Sequence, residues 1–77
     1  MLERRLGNRL KEERARIGWT QAELAERVGV SRKTINTVEN EVFIPSTILA
    51  LELARVLNRP VEALFFIVTE DMRISSG

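Results

Sequence analysis

The sequence predicts an all-α domain of five helices, with a short C-terminal β-strand left open to the tail. Three observations lead there. Apolar residues recur at helical spacing through most of the chain. Side chains suited to helix starts stand at Thr20, Ser31 and Ser46. Residues suited to helix ends, Gly18, Gly29 and Asn58, follow the apolar stripes.

The first helix is expected from Leu2 or Glu3 to Arg16, with Leu6, Leu10 and Ile17 at helical spacing and Gly18 as its stop. The run "WTQAELAERVG" supplies the second. Thr20 followed three residues later by Glu23 is a capping box, and Trp19 with Leu24 fits the hydrophobic staple around it. Leu24, Ala25 and Val28 form its inward face, and Gly29 provides the positive φ that ends it. Only Val30 then separates that glycine from the next cap, Ser31. Helices joined so tightly cannot lie antiparallel and must cross at a steep angle, which is the signature of a helix-turn-helix.

The third helix is short, about two to three turns, and a helix of that length must dock on something to persist. Only Ile35 and Val38 point inward. The other face carries Arg32, Lys33, Asn36, Thr37 and Asn40 in one stripe. After the loop "EVFIP", Ser46 caps a fourth helix whose inward positions are Leu49, Ala50, Leu53, Ala54 and Leu57. Asn58 suits a left-handed C-cap and Pro60 the first position of a new turn. A fifth, short helix follows with Val61, Leu64 and Phe65 inward. The expected division is a domain over residues 1–66 and a tail over 67–77, in which a candidate dimerisation strand precedes a frayed end.

A chain of 77 residues holds one domain with a modest core, for which oligomerisation is a natural supplement. With 44% hydrophobic and 30% charged residues the composition is that of a globular protein. Cysteine and histidine are both lacking, which removes disulfides, thiolate metal sites and the commonest general base. Glu12 and Glu13 are adjacent on a helix and face different directions, and no glycine loop is built to cradle phosphate. An enzyme is therefore not expected, nor any cofactor or metal. No apolar run approaches membrane-spanning length and the N-terminus does not read as a signal peptide, so a cytoplasmic protein without membrane partners is expected. Net charge is only +1, but it is unevenly spread. Residues 1–39 carry nine Lys/Arg against six Glu, net +3, and residues 40–77 carry three Arg against five acids, net −2.

The ordered set "TQAELA", "GVS", "I..VEN" and "P…LA..L", spread over Arg9 to Phe65, resembles the Cro/CI-type (Xre-like, lambda-repressor-like) helix-turn-helix family. The resemblance implies five helices, a homodimer and sequence-specific binding of double-stranded DNA. It implies a transcriptional regulator, more specifically a repressor on a palindromic operator. It also assigns roles. Gln21, Ser31 and Asn40 would contact phosphate. Arg9, to which the resemblance assigns no role, reads with Arg4 and Arg5 as a solvated residue, phosphate contact being its alternative. Arg32 and Lys33, and Asn36 and Thr37 one turn on, would reach base edges. Arg14 would pair with Glu39. The chain departs from the pattern where the residue after "VEN", often glycine in the family, is Glu41.

Elementary chemistry supports the same use. A helix N-terminus offers free N–H groups and a positive dipole end to phosphate. Arginine or lysine can bridge guanine O6 and N7, and asparagine adenine N6 and N7. Outside such a motif, Arg32 and Lys33 would read as a solvated face and Arg14 with Glu39 as a surface pair of little worth. The apolar residues Phe43, Ile44, Ile48, Phe66, Ile67 and Val68 exceed what so small a core absorbs, and a dimer interface is the expectation for them. The rival reading is a protein-interaction module, such as the antitoxin of a toxin–antitoxin pair, whose apolar tail holds a protein partner.

Overall fold

In the computed structural model, which describes residues 2–71, the order of elements is β1 (Leu2–Asn8), α1 (Leu10–Ile17), α2 (Gln21–Val28), α3 (Arg32–Glu39), α4 (Thr47–Leu57), α5 (Val61–Leu64) and β2 (Phe65–Asp71). The described residues form five helices and a two-stranded sheet. The expected frayed end of the tail, residues 72–77, lies outside the described residues.

The N-terminal expectation needs correction. The first helix begins at Leu10, not at Leu2 or Glu3, and residues 2–8 are a strand. β1 and β2 pair antiparallel, from Leu2 opposite Asp71 to Asn8 opposite Phe65. Arg9 N–H donates to the Leu64 carbonyl at 2.9 Å and carries the pairing to the edge of α1. Gly7 explains part of this choice. It lies opposite Phe66, and a Cβ there would stand 2.5 Å from Phe66 Cε1, so any larger residue would displace the ring. β2 begins at Phe65, before the expected boundary at 66/67, and its edge toward β1 is used within the chain. Phe65 is buried as expected, but as the first residue of a strand rather than the last of a helix.

Each later helix ends where its local chemistry requires. Thr20 and Glu23 make both bonds of the capping box: Glu23 N–H to Thr20 Oγ1 at 3.0 Å and Thr20 N–H to Glu23 Oε1 at 2.8 Å. Ser31 accepts from Thr34 N–H at 3.2 Å, and Ser46 from Leu49 N–H at 3.1 Å. Gly18, Gly29 and Asn58 are left-handed C-caps. The core gathers Leu10, Leu24, Ala25, Ile35, Val38, Leu49, Leu53, Leu57, Leu64 and Phe65, with Leu6, Trp19 and Val30 packed against it. Among the described residues no helix is long and apolar enough to cross a membrane.

The caps and surface pairs set the acid response. The Thr20 backbone N–H holds the Glu23 carboxyl below its ordinary value of 4.5. Arg59 and then Arg16 do the same for Glu13, and Arg55 for Glu52. A carboxyl depressed in the folded state adds stability above its ordinary value, and that contribution is lost as the pH falls through the folded value. No histidine exists to titrate between pH 5 and 8. Urea midpoints are therefore expected to stay level from about pH 6 to 8 and to decline below about pH 4.5. A midpoint that rose on acidification would contradict the assignment.

Candidate nucleic-acid interface

The turn between α2 and α3 is made by backbone alone. Gly29 adopts φ 75°, its N–H donates to the Glu26 carbonyl at 3.3 Å, and Val30 N–H reaches the Ala25 carbonyl at 3.0 Å. Ala25, 2% exposed, is small enough for α3 to pack close against α2. Ile35 and Val38 then turn inward and are fully buried, at 0% and 1% exposure. That orientation fixes the other face. Arg32, Lys33 and Asn40 are exposed, and Asn36 and Thr37 are half-buried.

The side chains of Arg32 and Lys33 make no hydrogen bond or ion pair with other described residues, so two cationic groups point outward from the first turn of α3. Ser31, at the N-cap, is exposed as well. Thr37 sits one turn on, and its hydroxyl donates back to the Thr34 carbonyl at 2.9 Å, leaving its oxygen as an acceptor and its methyl group for contact.

The remaining polar residues form a ladder. Arg14 grips Glu39 with two bonds, Nε to Oε2 at 2.9 Å and Nη2 to Oε1 at 3.2 Å, while its Nη1 donates to the Trp19 carbonyl at 2.9 Å. The side chains of this pair are only 15% and 4% exposed. The hydrogen bonds to Glu39 push the Arg14 guanidinium pKa above its already high ordinary value. Gln21 Nε2 donates to Glu39 Oε1 at 3.0 Å, Asn36 Nδ2 to Gln21 Oε1 at 3.4 Å, and Asn40 Nδ2 to Asn36 Oδ1 at 3.3 Å. One ladder thus runs from α1 through α2 and along the outer face of α3. Every buried side-chain nitrogen and oxygen among the described residues has a partner.

Arg9 is exposed and lies over the Phe66 ring, 5.1 Å from its centroid, at the ribbon formed by β1 and β2. Phe66 is thereby engaged with Gly7 and Arg9 and is 37% exposed. Phe43, Ile44 and Ile48 stand out on the α3–α4 loop and the start of α4, at 49%, 72% and 76% exposure. Ile67 is exposed and Val68 half-buried. Val42 and Leu51, which the sequence did not single out, are exposed beside them in the chain.

Two residues near the third helix also escaped sequence reasoning. Asn8 donates Nδ2 to the Val38 carbonyl at 2.9 Å and accepts from Leu10 N–H at 3.1 Å. Arg5 donates Nε to Glu41 Oε1 at 2.9 Å. The "GN" pair at residues 7 and 8 was the available signal, since glycine resists a helix interior and asparagine favours its start.

A family model described as "Helix-turn-helix" matches residues 10–64. An uncharacterized HTH-type transcriptional regulator of Bacillus subtilis, YgzD, is 38% identical over 64 residues, covering 83% of this chain and 97% of that one. Another from Methanothermobacter thermautotrophicus is 48% identical over 62 residues, covering 80% and 90%. A solved structure from Bacteroides fragilis, named for a proposed DNA-binding role, superposes with a TM-score of 0.72 at 30% identity and covers 79% of this chain and 98% of that one.

Proposed function

Because this chain belongs to the Cro/CI-type helix-turn-helix family of DNA-binding transcriptional regulators, we propose that it acts as a repressor, bound as a homodimer to a palindromic operator. The observation that carries the reading is the outer face of α3. Two cations with no side-chain partner among the described residues lead it, asparagine and threonine follow, and a satisfied polar ladder holds the helix at one angle. In the major groove Arg32 and Lys33 read base edges, and Asn36 and Thr37 read one turn further. Gln21, Ser31 and Asn40 meet phosphates on either side, with Arg9 at the edge of the site. Phosphate contacts set position, and base contacts set sequence.

One short helix covers too few base pairs to select a site in a genome. A two-fold dimer doubles the site and requires reading helices about 34 Å apart, on successive turns of one DNA face. The exposed apolar residues Phe43, Ile44 and Ile48, with Phe66, Ile67 and Val68, belong to the acidic half of the chain, which suits a protein interface better than DNA.

Selection from a random duplex pool tests this reading. The expected product is a palindrome with half-sites one helical turn apart. On it, Arg32→Ala or Lys33→Ala is expected to cost about 1–3 kcal/mol and relax preference at one base pair per half-site. Both variants binding the selected duplex like wild type would show that α3 does not read it.

A further inference from the structure

We propose that β1 is a positioning element for DNA recognition: Asn8 and Arg5 clamp the C-terminal end of α3, and through it they set the sequence selectivity of a surface they do not belong to. The inference rests on α3 being the reading helix. The two clamping residues, Asn8 and Arg5, lie outside the span that matches the family model, 10–64, although the corner they hold lies within it.

The last turn of a helix carries carbonyls without partners inside the helix and is the end most easily frayed. Here that turn is held from three elements. Arg14 and Gln21 hold Glu39 from α1 and α2. β1 adds two further ties, Asn8 Nδ2 to the Val38 carbonyl and Arg5 Nε to Glu41 Oε1, each at 2.9 Å. Val38 O also accepts from Glu41 N–H at 3.1 Å, so both ties close on the same corner.

The backbone at that corner is an independent mark. Glu41 adopts φ 62°, a left-handed conformation that disfavours any residue with a Cβ other than asparagine or aspartate. Glycine would sit there without strain. Glutamate does not help DNA binding directly, because a carboxylate repels phosphate. Its carboxylate instead gives Arg5 something to grip. A strained residue whose side chain reaches another element is what an enforced loop geometry looks like. The corner leads directly from α3 and carries Asn40, so a shift there tilts the reading helix and moves a phosphate contact together.

Two other side-chain sets are already paired within the chain. The shallow groove lined by Trp19, Arg27, Arg55 and Val56 has Arg27 already stacked on Trp19 at 4.2 Å and Arg55 paired with Glu52 at 2.7 Å. The triplet of Glu13 with Arg16 and Arg59 is a closed surface network.

The test compares binding to the selected duplex with binding to a scrambled duplex of equal length at one salt concentration. The ratio cancels uniform charge effects. Glu41→Gly is the primary variant, because it removes the grip and relieves the strain together. Its thermal midpoint is expected to be unchanged or raised while the ratio falls by about tenfold. Asn8→Asp keeps an acceptor for Leu10 N–H but cannot donate to Val38 O, and is expected to lower the ratio to a similar degree. Arg5→Glu should lower it too, and the exchange Arg5→Glu with Glu41→Arg should restore it at unchanged net charge. The clamp is refuted if Glu41→Gly and Asn8→Asp keep the wild-type ratio within about twofold while Arg32→Ala loses it. If Arg32→Ala also keeps the ratio, the reading helix is misassigned and the clamp falls with it.

Discussion

Glu39→Gln is expected to destabilise the domain by about 3–5 kcal/mol in urea unfolding. The substitution keeps the shape of the side chain and removes its charge. Arg14 is then left with a full positive charge, 15% exposed, in a place built for a carboxylate. It cannot shed its proton, since a guanidinium keeps its charge at any pH where the domain is folded. The Gln21 amide, which donates to Glu39 Oε1, meets an amide that must choose between oxygen and nitrogen, and the ladder to Asn36 and Asn40 loosens. The expected loss is a large share of what a domain of this size has to spare. A loss below about 1 kcal/mol would put the pair among ordinary surface ion pairs. Operator binding should fall with stability, because the same carboxylate orients the end of α3.

The second large effect is on assembly. Replacing Phe43 and Ile48 together by glutamate is expected to give monomers that bind the selected operator about 100-fold more weakly or worse, through loss of two-site attachment. Both side chains are substantially exposed in the single chain, at 49% and 76%, so the substitution removes little from the core. Phe66 is a poorer choice for the same test. Its ring covers Gly7 and lies under Arg9, and a charge there would damage the ribbon as well as any interface. Sedimentation at micromolar concentration reads the outcome. A wild type that is monomeric and still binds tightly would remove the dimer, and the palindrome with it.

What was legible in the sequence was local. Thr20 with Glu23, Gly29, Ser31, Ser46 and Asn58 each act within a few residues of themselves, and the helices they bound are where such signals place them. The strand at residues 2–8 was hidden by a coincidence of periods. Leu6 and Leu10 are four apart, which suits one face of a helix, but four is also a multiple of two and suits one face of a strand. What decides between the two is β2, more than fifty residues away, together with Gly7 under Phe66. The tail's β-branched run did suggest a strand, but not its partner. In the site, the exposure of Arg32 and Lys33 follows from the inward placement of Ile35 and Val38. The meeting of Arg14 with Glu39 came from the resemblance rather than from spacing. Gln21 joining them, and Asn8 and Arg5 reaching the far end of α3, depend on three or more elements packing together. The left-handed backbone at Glu41 was signalled only by the resemblance to a family that often has glycine there, since glutamate alone does not announce such a turn.

The ribbon also says something about the order of events in folding. Its paired residues lie 57 to 69 positions apart (Phe65 from Asn8, Asp71 from Leu2), so its ends cannot meet until the chain between them has been drawn in. The helices, whose contacts are mostly local, can form and dock first. Zipping of β1 onto β2 is then expected to be a late step, with little of it present at the folding barrier. Substitutions in the ribbon, such as Val68→Ala, should therefore quicken unfolding and leave the refolding rate nearly unchanged. Stopped-flow measurements on both limbs would show it. A refolding rate that dropped in step with stability would place the ribbon in the nucleus instead.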